Sequence, residues 1–208
     1  MNSVSYRRAM DELHAAHSYV VERAIRSMST LPEHPLRWGA SIKRVRIDLS
    51  GPGCPPLIGK AEERLVEAIN IAATIERMLD ALAWFSVHVD FRSLLVLECH
   101  PSTSSTTSGN DLVLGLTPAS VIALCEVTDV AGSAPGQNNK EKKDLRNLGC
   151  TSEVPDDGKR RFICTSTEFA NALAGQRRTS RMHYRYERCP VDGTDTIMLE
   201  IRGAHLAK

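Results

Sequence analysis

Apolar residues recur at helical spacing from Tyr6 to about Met28, where Met10, Leu13, Ala16, Tyr19 and Val20 are separated by charged and polar residues. The signal stops at Pro32 and Pro35. Next, SIKRVRIDLS alternates, with Val45, Ile47 and Leu49 facing one way and Arg44, Arg46 and Asp48 the other, which predicts a half-buried strand. GPGCPPLIGK is a loop rich in turn-forming residues. A long helix is predicted from Ala61 to about Phe85, with Leu65, Ile69, Ala72, Ile75, Leu79 and Leu82 as its stripe and Glu62 and Glu63 in its first turn.

The period then changes. SLLVLECH, DLVLGL and VIALCEVTDV are short Val, Ile and Leu runs separated by PSTSSTTSGN and TPAS, and they read as three strands. A polar, Gly-containing loop leads to KEKKDLRNL, a short charged helix. RRFICTST predicts a strand, EFANALAGQRR a helix ended by Gly175, and HYRYERC and TIMLEIR two strands around the turn PVDGTD. The main body is therefore helix, three strands, helix, strand, helix, two strands. The division expected is a helical and strand extension over residues 1–59 and a core over 60–208, within what can be a single domain.

Composition adds bounds. The 208 residues are 42% hydrophobic and 25% charged, enough for a packed core, and the formal net charge of +1 requires any polyanion-binding surface to be local. The six cysteines show no CxxC pair, and Cys99, Cys125 and Cys164 lie in apolar runs, so reduced thiols are expected. The N-terminus carries no signal-like apolar region, and no run approaches the roughly 20 apolar residues that span a bilayer, so a cytoplasmic protein without membrane contact is expected.

The candidate chemistry sits in the hairpin DLVLGL-TPAS-VIALCEV. With TPAS as the turn, Leu116 pairs with Val121, Leu114 with Ala123, Leu112 with Cys125, and Asp111 with Glu126. Two carboxylates so placed repel unless a proton or a cation lies between them, and oxygen ligands from two strands suit Mg²⁺. A slip of one residue would put them on opposite faces, and Asp111, beside Gly109 and Asn110, also fits a turn residue. Glu126 follows five apolar residues, an unusual setting for a solvated glutamate.

An Asp opening one strand, fourteen residues, then a Glu in the next strand followed by a helix resembles the catalytic core of the PD-(D/E)xK, restriction-endonuclease-like nucleases. The resemblance spans roughly Ala61 to Arg202. It implies an α/β (α+β) core with a mixed central sheet flanked by helices, and Mg²⁺- or Mn²⁺-dependent cleavage of DNA, as in a restriction or defence endonuclease. It further implies Asp111 and Glu126 as metal ligands, with Glu63 or Glu67 as an outer carboxylate. The chain departs from the pattern at the motif lysine, two residues after the glutamate, where it has Thr128. Some members similar in lacking it use a residue of the following helix, which here offers Lys140 or Lys143, with Lys142 and Gln137 nearby.

Further candidates are Glu98 and His100, which alternate onto one face of their strand, and the clusters Lys159, Arg160, Arg161 and Arg177, Arg178, Arg181 as phosphate contacts. Cleaving both strands of a duplex needs two sites, so a homodimer is expected, with the N-terminal helix as its interface. The rival reading is a subunit that keeps the nuclease fold without the chemistry, which Thr128 favours.

Overall fold

The computed structural model describes residues 4–31, 42, 44–58, 62–101, 109–128, 134–151, 153–175 and 184–203. Helix α1 (Tyr6–Met28) starts at Ser5, whose side chain accepts from the Arg8 N–H. A short antiparallel pair follows, β1 (Arg46–Asp48) with β2 (Glu62–Arg64), and leads into α2 (Leu65–Val87). The chain continues through β3 (Leu95–Cys99), β4 (Leu112–Thr117), β5 (Ser120–Thr128), α3 (Ala134–Asn147), β6 (Arg160–Ser166), α4 (Thr167–Gly175), β7 (Tyr184–Pro190) and β8 (Thr196–Gly203).

Six strands form one mixed sheet in the order β3-β4-β5-β6-β8-β7, and β5 and β6, joined through α3, are its parallel pair. Residues of α1 and α2 share one continuous apolar core with Leu112, Leu114, Ala123, Cys125, Val127, Phe162, Cys164 and Met198 of the sheet. Leu124, Ile163, Ile197, Leu199 and Ile201 point the other way and pack with Leu145, Leu148 and Cys150, at and beyond the end of α3, and with Phe169 and Ala170 of α4. The result is a sheet between two helical layers, with the element order read from the sequence.

Several local expectations are corrected. Glu62, Glu63 and Arg64 form β2 rather than a first helical turn, because their extended backbone pairs with β1. The buried stripe of α2 runs through Ala68, Ile71, Ile75, Met78, Leu82 and Phe85, and Ile69 is exposed. Helix α3 begins at Ala134, within the segment read as a loop, and Pro135 in its first turn lacks only an N–H with no intrahelical partner in any case. The apolar stripe of α1 (Ala9, Leu13, Ala16, Val20 and Ala24) is buried inside the protein, so it is not available as a dimer interface. All six cysteines are free thiols. Among the described residues no helix is long and apolar enough to cross a membrane.

Candidate metal centre between β4, β5 and α3

The hairpin register carries two irregularities that cancel. Leu112, Val113 and Leu114 pair with Cys125, Leu124 and Ala123, but Gly115 pairs with Val121, and Thr117 with Ser120. Ile122 is extra on one strand and Leu116 on the other, so the expected Leu116–Val121 pair does not form and Leu116 is exposed. The strands approach so closely here that a Cβ on Gly115 would lie 2.3 Å from the Ser120 carbonyl oxygen, so only glycine fits. Beyond the bulges the offset is that of a plain hairpin, and continuing it sets Asp111 against Glu126. The Asp111 carboxylate accepts the Val127 N–H at 2.7 Å, and the Asp111 carbonyl accepts the His100 N–H at 2.8 Å, so the residue is fixed on both sides.

Alternation puts Glu126 and Thr128 on the α3 face of β5. Helix α3 meets them with Lys140, Asp144 and Asn147, a stripe at i, i+4 and i+7. Its rotation is set at its C-terminal end. Gly149, at φ +75°, lets the Cys150 N–H reach the Leu145 carbonyl and its own N–H reach that of Arg146, while Leu145 and Cys150 share the apolar cluster. The buried Arg161 guanidinium donates to the Leu148 carbonyl at 2.8 Å and to Asp157 at 2.7 Å, which ties the helix end to β6.

The Asn147 amide donates to Glu126 Oε2 at 3.0 Å. Glu126 Oε1 is buried with no hydrogen-bond partner among the described residues, a costly state for a carboxylate oxygen. The Thr128 hydroxyl donates to Asp144 Oδ2, and Lys140 Nζ lies 2.8 Å from Asp144 Oδ1, an ion pair by distance although the ammonium stands off that oxygen's hydrogen-bonding directions. Asp144 has no exposed side-chain surface.

Burial, and for Glu126 the Asp111 charge beside it, push the Asp111 carboxyl up to about 6 and the Glu126 carboxyl up to about 8. Asp144 is raised by burial against the opposing pull of Lys140 and Thr128. Burial would lower Lys140, but Asp144, Asp111 and Glu126 outweigh it and raise the ammonium, so it stays charged at neutral pH.

A divalent cation fits this donor set. Mg²⁺ is typically held by one or two carboxylates and completes its shell with water and phosphate oxygens, and Glu126 Oε1 is an unused buried oxygen beside Asp111. Among the described residues no three His, Cys, Asp or Glu side chains converge as a preformed cage, and the candidate side-chain ligands are these two carboxylates.

The remaining candidates fall elsewhere. Glu63 sits on β2, where its carboxylate accepts the Arg64 N–H; Glu67 is in the first turn of α2, and that helix covers the opposite face of the sheet from Glu126. Glu98 and His100 share the face of Asp111 but meet each other at 3.4 Å in exposed positions. Lys143 is exposed and acts on Asp111 and Asp144 through its field alone. Gln137 is on α3 with its side chain outside the described residues, as are Arg177, Arg178 and Arg181 in their entirety. Arg160 is a structural cation, not a phosphate contact: it forks onto Glu200 at 2.6 and 2.8 Å, pairs with Asp90 and lies over the Phe91 and Phe162 rings. Arg161 is consumed by α3 and Asp157, and Lys159 lies 3.5 Å from Asp157.

Asp144 and Asn147 were missed from the sequence. Their signal was the spacing from Lys140, but in a helix charged nearly all round no apolar stripe marks the inward face. Comparisons with protein-family models, with curated proteins and with solved structures give no match to this chain.

Proposed function

We propose that the chain is a metal-dependent nuclease of the PD-(D/E)xK kind that hydrolyses DNA phosphodiester bonds. One observation carries this reading: Asp111 and Glu126 meet on the same sheet face as a lysine supplied by the next helix, where the motif's own lysine position is Thr128. The mixed sheet with helices on both sides, in the order helix, three strands, helix, strand, supports it further.

Asp111 and Glu126 would hold Mg²⁺ or Mn²⁺. What such an ion supplies is activation of a water and neutralisation of charge at the phosphate. The protein's own groups do the rest. Val127 N–H and Asn147 fix one oxygen of each carboxylate and leave Glu126 Oε1 buried without a partner among the described residues. Lys140, held charged by three acids, cannot serve as a base at neutral pH; it presents a fixed positive charge to a phosphate oxygen, where charge grows in the transition state. A duplex cut on both strands requires two such sites, so a homodimer goes with this reading, through a surface other than the stripe of α1.

The rival, a nuclease-fold subunit without chemistry, is favoured by Thr128 alone. Supercoiled plasmid incubated with Mg²⁺ or Mn²⁺ against EDTA separates the two. Nicking that needs the ion and falls at least about 100-fold in Asp111→Asn and Glu126→Gln supports the nuclease. Nicking that persists in both variants places the chemistry elsewhere. An inert wild type that still binds DNA supports the subunit.

A further inference from the structure

Thr128, Asp144 and Lys140 form a chain of contacts from the strand to the helix. The hydroxyl at the motif-lysine position donates to one oxygen of Asp144, and the other oxygen faces the Lys140 ammonium at 2.8 Å. Asp144 is wholly buried, and Thr128 likewise has no exposed surface, so their contact does not compete with water, while Lys140 reaches the same carboxylate from a partly exposed position. The hydroxyl on one oxygen fixes the plane of the carboxylate and hence where the negative charge that the ammonium faces is held. Lysine itself is a flexible chain of four methylenes with a freely rotating donor, so without such a partner its charge would spread over many rotamers. The helix alone cannot fix it, because the side chain leaves α3 as an i, i+4 partner of Asp144, and of these two it is Asp144 that is hydrogen-bonded across to β5.

We propose that Thr128 and Asp144 are positioning residues, a hydroxyl–carboxylate relay that aims Lys140 at the Asp111–Glu126 carboxylates. The motif position has thus kept its task and changed its means: it directs a positive charge arriving from the helix instead of supplying one. The catalytic part of this statement rests on the nuclease reading; the relay itself does not.

The test therefore has two readouts. One is the ¹⁵N signal of the Lys140 ammonium, assigned by its loss in Lys140→Ala. In an ion pair held against a buried carboxylate it exchanges slowly with water. Slow exchange in the wild type and Thr128→Ser, with at least about tenfold faster exchange in Thr128→Val and Asp144→Asn, supports the relay. Exchange unchanged in Thr128→Val overturns it. The other readout is the turnover of plasmid nicking at saturating Mn²⁺. Thr128→Val should lower kcat about tenfold with KM for DNA unchanged, Thr128→Ser should restore it to within about threefold, and Lys142→Ala should leave it unaltered. In a Lys140→Ala background Thr128→Val should cost nothing more, since the hydroxyl acts only through that lysine. A full additional loss there would mean that Thr128 is merely structural and would sink the relay. If the ammonium behaves as expected in a protein that never nicks plasmid, the relay stands and the nuclease reading fails.

Discussion

Under α1 and α2 the sheet presents Leu112, Leu114, Cys125, Val127, Phe162 and Met198, and the layer above answers with Leu, Ile, Ala, Met, Trp and Phe. Under α3 the same strands present Glu126, Thr128 and Thr165, and the helix answers with Lys140, Asp144 and Asn147, leaving apolar contact to Leu124 and to the β6 and β8 residues farther along. The strands are shared, so the contrast lies in alternate residues of one backbone. Burial of hydrocarbon stabilises the first face. On the second, burial raises the energy of the charged groups it encloses, and α3 is held down at its C-terminal end and by Leu145 and Leu148. One face supplies free energy and the other costs it.

That division can be broken in several ways. The largest expected effect is on the apolar face: Phe162→Ala removes a fully buried ring from a cluster with Trp84, Phe85 and Phe91 and should cost about 3–5 kcal/mol. A thermal scan should fall by about 10 °C or more for a chain of this size, while the protein that remains folded keeps its response to Mn²⁺. If the Mn²⁺ response vanishes too, the two faces are not separable.

On the other face, Mn²⁺ at a hundredfold excess over its Kd should stabilise the wild type by about 2.7 kcal/mol, and Glu126→Gln should abolish this. Calorimetry with and without EDTA reads both, and a variant that still responds would move the cation away from Glu126.

More specific is the pH dependence without metal. Asp111 and Glu126 ionise at about 6 and 8 in the folded protein, above the ordinary 3.8 and 4.5 of the unfolded chain. Between those limits the folded state keeps protons that the unfolded state has released, so stability is greatest at the acid end and falls as pH rises. Melting temperatures in EDTA at pH 5 and pH 8.5 should show this fall in the wild type and a shallower one in Glu126→Gln. The variant should melt higher at pH 8.5 and nearly equal at pH 5; the opposite order would show that the carboxylates are not a source of strain.

The smallest effect is at the rim of α3, where the Tyr186 hydroxyl donates to the buried Glu141 at 2.7 Å. Tyr186→Phe should cost about 1–2 kcal/mol in urea melts at pH 7, because the carboxylate loses a donor. No loss would mean that α3 is secured without the Tyr186 contact.

The sequence made the apolar face legible and much of the polar face opaque. Leu112, Leu114 and Cys125 declared their orientation by alternation, and the Asp111–Glu126 register followed despite two bulges, because an extra residue on each strand leaves the outer offset unchanged. Ile69 was misassigned to the stripe of α2 because apolar residues lie nearly all round that helix. The Lys159–Arg161 run read as a basic patch, yet strand alternation turns Arg161 inward onto the end of α3 and stacks Arg160 on the Phe91 ring, contributed from elsewhere in the chain. Such long-range partners leave no trace in local periodicity.

Fastening α3 at its C-terminal end turns that helix into a dial. Each residue advances the helix by about 100° and 1.5 Å, so the spacing from Gly149 back to Lys140 decides which side chain comes round to Glu126. One residue inserted after Asn147 would swing the lysine from the carboxylates toward solvent and bring a neighbour into its place, with every contact upstream intact in sequence. On the nuclease reading, the lysine of this chain is reached by counting backward from Gly149, which stops the helix, where counting forward from Glu126 finds Thr128.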